Sequence, residues 1–256
     1  MSVFFVISSQ IILLSYAQNG LIRPDGADLT LDAAKMANSL YIAFETYNAE
    51  SCEVNECLMH LRGGTFPITR KLLRFDTRAA NIGNRPFNMG NPFDDTNLNF
   101  VYDPCHRHYH FNDFAEYQVF LKTDVDEITN LVPETGKRAF CLMDSEPTGL
   151  YNGPRRSTPR FNCDFQGISV GWEDVYGANL DCQFVDVTDL PDGEYKLCIT
   201  LNPSGRLQET DLTNNKACLD FTLGSNGEQL PGLAGCNVAR QDWLGDGYCD
   251  RGAYNT

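Results

Sequence analysis

The chain has 256 residues, with 34 Asp and Glu against 20 Lys and Arg, for a net charge of −14. That length supports one substantial core with room for a small terminal element. The acidic balance excludes a surface that tracks nucleic-acid phosphates, which requires clustered Lys and Arg. Excess negative charge suits cationic partners such as amines and lysine-rich proteins, and it also serves simply to keep a chain soluble.

Residues 1–17, MSVFFVISSQIILLSYA, read as a secretory signal peptide: an apolar run from Val3 to Leu14 precedes the small residues Ser15 and Ala17. No second apolar stretch of about 18 residues follows, so no membrane span is expected after cleavage and the mature protein is expected to be secreted. Ten cysteines agree with export and a disulfide framework. None stands in a CxxC pair, which leaves a cysteine zinc site or a thioredoxin-like motif without support. The short interval between Cys52 and Cys57 suggests a local bridge.

From Asp28 to about Tyr47 the apolar spacing (Leu29, Leu31, Ala34, Met36, Leu40, Ile42, Phe44) predicts alternating strands rather than one helix. Stronger strand signals follow in 71-KLLRFDTRAANIG-83 and 114-FAEYQVFLK-122, with a long Asn/Gly/Pro loop, 81-NIGNRPFNMGNPFDDTN-97, between them. Further strands are predicted in 182-CQFVDVTDL-190, 194-EYKLCITLNP-203 and 217-ACLDFTLG-224, separated by turn signals such as Pro191-Asp192-Gly193. Short strands at this spacing predict an all-β, antiparallel β-sandwich with long loops, disulfide-stapled, over residues 18–224. Residues 225–256 form a Gly/Asn-rich linker and a partial Cys/Asp-containing repeat.

Three of the four histidines fall in 102-YDPCHRHYHFNDF-114. On an extended strand His106, His108 and His110 emerge from one face. A lone histidine such as His60 is ordinarily a satisfied polar residue, but a face made of imidazole points to a metal. Neighbouring side chains on a face are about 6.7 Å apart and the outer pair about 13 Å, so one ion shared by all three requires a bent or bulged strand. Three neutral imidazoles suit copper(II), and equally zinc(II) with water in an open position.

Two further stretches, 134-ETGKRAFCLMD-144 and 172-WEDVYGANLDCQFVDVTDLPDGEYKL-197, together with CHRHYH, resemble the catalytic domain of lysyl oxidases. The likeness runs from about Tyr41 to Leu223 and includes 47-YNAESCEVNEC-57, 72-LLRFDTRAANIG-83 and 201-LNPSGRLQETDLTNN-215. It implies a secreted copper amine oxidase that converts the ε-amine of peptidyl lysine, or another primary amine, to an aldehyde with release of ammonia and hydrogen peroxide, O2 being the oxidant. It further implies copper on His106, His108 and His110, and a lysine tyrosylquinone cofactor made from Lys137 and Tyr176. Asp174 and Glu116 are the two carboxylates considered for the catalytic base. By the same resemblance Cys52 pairs with Cys57, Cys105 with Cys163 and Cys218 with Cys236, leaving Cys141, Cys182 and Cys198 open to a link among themselves.

Several positions depart from that family's pattern. Asp103 stands where a further histidine usually precedes the cluster, another histidine is missing near Glu116, and Trp172 stands where a partner for Cys182 is expected. The tail 242-DWLGDGYCDRGAYN-255 resembles the first half of a Notch-type repeat, which implies calcium held by Asp246, Asp250 and Asn255. The competing readings are a zinc-dependent hydrolase and a non-catalytic secreted metal-binding module.

Overall fold

In the computed structural model, which describes residues 26–94, 97, 99–132, 137 and 139–224, short strands follow one another with little helix between them. In chain order the first elements are β1 (Leu29–Leu31), the helix α1 (Ala33–Ala37), β2 (Tyr41–Tyr47) and the helix α2 (Cys52–Glu56). Then come β3 (Ile68–Arg74), β4 (Thr77–Asn81), β5 (Phe87–Gly90), β6 (Phe100–Asp103), β7 (His108–Asn112) and β8 (Ala115–Leu121). The remainder are β9 (Ala139–Phe140), β10 (Glu146–Pro147), β11 (Gln166–Ile168), β12 (Trp172–Tyr176), β13 (Phe184–Asp186), β14 (Gly193–Leu201) and β15 (Lys216–Leu223). Every ladder is antiparallel, and the sheet orders are β1-β4-β12-β10, β11-β5, β13-β3-β2, β15-β14-β8 and β6-β7-β9. The all-β, disulfide-stapled class is thus the observed one, built from several small sheets.

Strict alternation explains why the sheets pack. In the β15-β14-β8 sheet, Leu197 lies between Val119 and Leu219, and Ile199 faces Tyr117, so one face is apolar. That face joins Phe75, Phe111, Phe114, Phe140 and Trp172 in the main core. Each fully buried side chain of this size contributes about 1.5–3 kcal/mol. A smaller core of Tyr47, Val54, Leu58, Leu72 and Phe184 lies beneath α2. Glu209 ties the first strand to the last turns: its carboxylate accepts from Leu29 N at 2.7 Å, Asn202 Nδ2 at 2.7 Å and Asn215 Nδ2 at 2.9 Å. Burial nevertheless pushes its pKa up to about 7.

Local structure differs from the sequence expectation in two places. Between β1 and β2 the chain turns through α1, because Asp32 caps it by accepting from Lys35 N at 3.1 Å and Ala-Ala-Lys-Met-Ala are good helix formers. The expected loop 81–97 contains β5, which pairs with β11.

The disulfides are corrected throughout: Cys52–Cys105, Cys57–Cys182, Cys141–Cys163 and Cys198–Cys218. Cys52 opens α2 and Cys57 follows its last residue. Five helical steps separate them by about 7.5 Å along the axis, beyond the Cα reach of a bridge, so each bonds outward. Cys105 and Cys163 therefore have other partners than each other. Cys218 takes Cys198, which lies directly opposite it in the β14–β15 ladder. Cys141 and Cys182 likewise do not link to one another or to Cys198. Residues 1–17, the segment 225–256 with Cys236 and Cys249, and the proposed calcium ligands Asp246, Asp250 and Asn255 lie outside the described residues. Among the described residues no helix is long and apolar enough to cross a membrane.

Candidate metal and amine site

The histidine stretch does not continue as a flat strand. β7 begins at His108, while Arg107 takes a left-handed backbone (φ 60) and leaves His106 in the preceding turn. This bend gathers the rings: centroids are 5.9 Å apart for His106 and His108, 5.2 Å for His106 and His110, and 4.6 Å for His108 and His110. His108 Nε2 and His110 Nε2 are 2.9 Å apart, the spacing of adjacent nitrogens around one ion with bonds of about 2.0 Å. Burial first, then the neighbouring Lys137 and His108, pushes His110 down to about 3. Burial and His106 also lower His108. Both rings are thereby neutral at ordinary pH, the form that ligates a metal, and the donor set fits copper or zinc.

The two-residue strand β9 brings the remaining parts together. Its ladder with β7 sets Phe140 opposite Phe111 and Ala139 opposite Asn112, so the chain entering β9 runs beside the histidines. Lys137, buried, lies on that approach. On the other side Phe140 meets the Tyr176 ring edge-on with centroids 4.6 Å apart, and Tyr176 Oη donates to the Cys141 carbonyl at 2.7 Å. Tyr176 closes β12, whose pairing with β4 sets it opposite Thr77. Lys137 Nζ consequently lies 5.8 Å from the centroid of the Tyr176 ring. Burial lowers the Lys137 pKa, against the opposing pull of Glu56, Asp103 and Asp181. Burial raises that of Tyr176 well above the phenol range.

The two carboxylates considered as bases are placed very differently. Asp174 is buried on β12, accepts from Ser145 Oγ at 3.2 Å, and keeps Oδ2 without a hydrogen-bond partner. Burial raises its pKa well above the usual carboxylate range. Glu116 is half-buried on β8, paired with Thr200, and among the described residues no hydrogen bond or ion pair joins it to the histidines, Lys137 or Tyr176.

Three acidic residues complete the cluster. Glu56, the last residue of α2, has Oε1 3.8 Å from Lys137 Nζ and Oε2 3.5 Å from His106 Nδ1. Asp103 Oδ2 lies 3.7 Å from His106 Nδ1 and 3.4 Å from His110 Nδ1, and Asp181 Oδ2 lies 3.6 Å from His106 Nε2. Sequence reading missed Glu56 and Asp181 and noted Asp103 only as a departure. The available signal was adjacency to cysteine: Glu56 precedes Cys57 and Asp181 precedes Cys182, which bond to each other. Elsewhere, Glu127 lies near Cys198 and Cys218, but those two cysteines are bonded and offer no thiolate.

The family profile described as lysyl oxidase matches residues 27–229. The chain belongs to the lysyl oxidase family. It is 34% identical over 192 residues to lysyl oxidase homolog 2 of Bos taurus, covering 73% of this chain and 23% of that protein. It is 33% identical over 202 residues to lysyl oxidase homolog 3A of Danio rerio, covering 77% of this chain and 26% of that protein. Against the Homo sapiens lysyl oxidase homolog 2 the identity is 32% over 192 residues. The chain thus spans only about a quarter of the length of these curated relatives, and the family match falls on the part that carries the histidines, Lys137 and Tyr176.

Proposed function

We propose that this lysyl oxidase family member is a secreted, copper-dependent amine oxidase. It converts the ε-amine of lysine in extracellular proteins, or another primary amine, to an aldehyde, consuming O2 and water and releasing ammonia and hydrogen peroxide. The observation that supports this most directly is the approach of Lys137 Nζ to 5.8 Å from the Tyr176 ring centroid, beside the histidine cluster. Thirty-nine residues separate the two in sequence, so the fold itself brings amine and phenol together. In this reading His106, His108 and His110 hold copper, and Lys137 and Tyr176 form the lysine tyrosylquinone. Copper would supply one-electron chemistry with O2, and the quinone carbonyl an electrophile for the substrate amine.

The protein's own residues have distinct tasks in this scheme. The Cys141 carbonyl and the Phe140 ring fix the plane and rotation of the Tyr176 ring. Asp181, the most exposed of the acidic groups beside the histidines, attracts a cationic substrate toward the Tyr176 ring. Asp174, the more enclosed of the two carboxylates, serves as proton acceptor, its basicity raised by burial. Glu116 is the weaker assignment because, among the described residues, nothing joins it to the cluster.

The test is to load the full chain with copper, label with phenylhydrazine and map the labelled peptide. A cross-link between Lys137 and Tyr176, with hydrogen peroxide released from amines, is the expected result. Tyr176→Phe is expected to abolish both. Unchanged peroxide release in that variant, or purified protein that carries zinc and no carbonyl-reactive group, would overturn the reading.

A further inference from the structure

We infer that an ion in this cluster is held by two carboxylates, Glu56 and Asp103, together with His106 and His110, so that its coordination sphere in this chain is not imidazole alone. The inference rests on the metal-dependent reading above and concerns which atoms of this chain complete that centre.

The first argument is spacing. Glu56, Asp103, His106 and His110 each offer one ligand atom, and these atoms all lie within 4.8 Å of one another. Donors on opposite sides of an ion with bonds of about 2.1 Å are about 4.2 Å apart. The set therefore closes on an ion by movements of about half an ångström, with His108 outside it, since His108 meets Nε2 of His110 and Asp103 faces Nδ1 of the same ring.

Unused capacity is the second argument. Both oxygens of Glu56 and the Nδ1 of His106 are inaccessible to solvent and make no hydrogen bond among the described residues, only the longer ion-pair contacts of Glu56 with Lys137 and His106. Buried polar atoms in native proteins are almost always satisfied, and an ion is one of the few things that satisfies a carboxylate and an imidazole at once. Asp103 divides its work in a compatible way. Its Oδ1 accepts from the backbone N–H of Cys105 at 2.7 Å and of His106 at 3.1 Å, which anchors the carboxylate. Its Oδ2 is turned to the two imidazoles.

Construction is the third. α2 is fixed at both ends, Cys52 to Cys105 beside His106, and Cys57 to Cys182 within the smaller core. Glu56 is therefore held facing His106 by covalent bonds rather than by a flexible surface segment. Asp103 closes β6 directly opposite His108 in the ladder. Two carboxylates match the charge of a divalent cation.

The experiment uses the full chain, with Cu(II) alone as the probe, in a chelator competition and by electron paramagnetic resonance. Glu56→Gln and Asp103→Asn are each expected to weaken Cu(II) binding by more than about tenfold and to change the copper hyperfine splitting; weaker binding with the wild-type splitting would make the carboxylate only an outer partner of a histidine and overturn the inference. His60→Ala, outside the cluster, is expected to leave both unchanged. Wild-type affinity together with a wild-type spectrum in both carboxylate variants overturns the inference and leaves the amine oxidase reading standing. Wild-type protein that takes up no Cu(II) overturns that reading, and this one with it. Should Glu56→Gln fail to fold by near-ultraviolet circular dichroism, Asp103→Asn and the shortened Glu56→Asp carry the same comparison.

Discussion

Asp174 and Tyr176 leave β12 on the same face, two residues apart, and both are shut away from solvent. If Asp174 is the base, it accepts a proton only when ionised. Burial raises its pKa, so kcat/KM should rise with pH through that raised value and level off above it. Asp174→Asn is expected to remove this rising limb and to lower kcat/KM by about 10²–10⁴-fold. A pH–rate profile of the copper-loaded variant checks it, and an intact acid limb would transfer the role elsewhere. At this scale the sequence spoke unevenly. Three histidines in five residues point to a metal without any fold. Lys137 and Tyr176, by contrast, read as a turn lysine and a packing residue until several motifs are compared with a family. Glu56 and Asp181 were legible only as neighbours of cysteines, because a single carboxylate has no periodicity and its role depends on which loop a disulfide brings near.

Among elements, α2 shows why. It is five residues long, too short for the hydrophobic periodicity that announces a helix, and it lies over a separate small core. Its place is set by two disulfides that close intervals of 53 and 125 residues. Removing the first with Cys52→Ser and Cys105→Ser together is expected to cost about 4 kcal/mol in the chain-entropy account. Metal affinity should fall as well, since Glu56 and the turn carrying His106 are no longer tied. Urea unfolding and chelator competition measure the two effects, and undiminished affinity would mean that the bond is only structural. Strands β8, β14 and β15 were legible for the opposite reason: seven to nine residues with a buried, alternating face announce themselves. β9, with two residues, did not, although it is the element on which the histidine strand and Tyr176 both depend.

For the molecule as a whole, the joint between its first and last parts is a titratable one. The folded pKa of Glu209 is about 7, against about 4.3 in an unfolded chain. A carboxyl raised in this way contributes stability that is fully present below the unfolded value and is lost as pH rises through the folded one. The shift corresponds to roughly 4 kcal/mol in full, of which about 3 kcal/mol falls between pH 4.5 and 7.5. Wild type is therefore expected to lose about that much stability relative to Glu209→Gln between pH 4.5 and 7.5, read from urea midpoints. A difference that stays constant with pH would show that the hydrogen bonds to Leu29, Asn202 and Asn215 already compensate the charge.

The meeting point at β9 has a consequence in time rather than in space. Lys137 reaches Tyr176 only after the sheet containing β7 has docked against the one containing β12. A chain halted before that docking keeps an ordinary lysine and an ordinary tyrosine. The covalent link would therefore be a permanent record, written once, that a given copy had completed its assembly. In a mixed preparation, the fraction reactive toward phenylhydrazine should equal the fraction that folded with metal present, and later unfolding should not erase it.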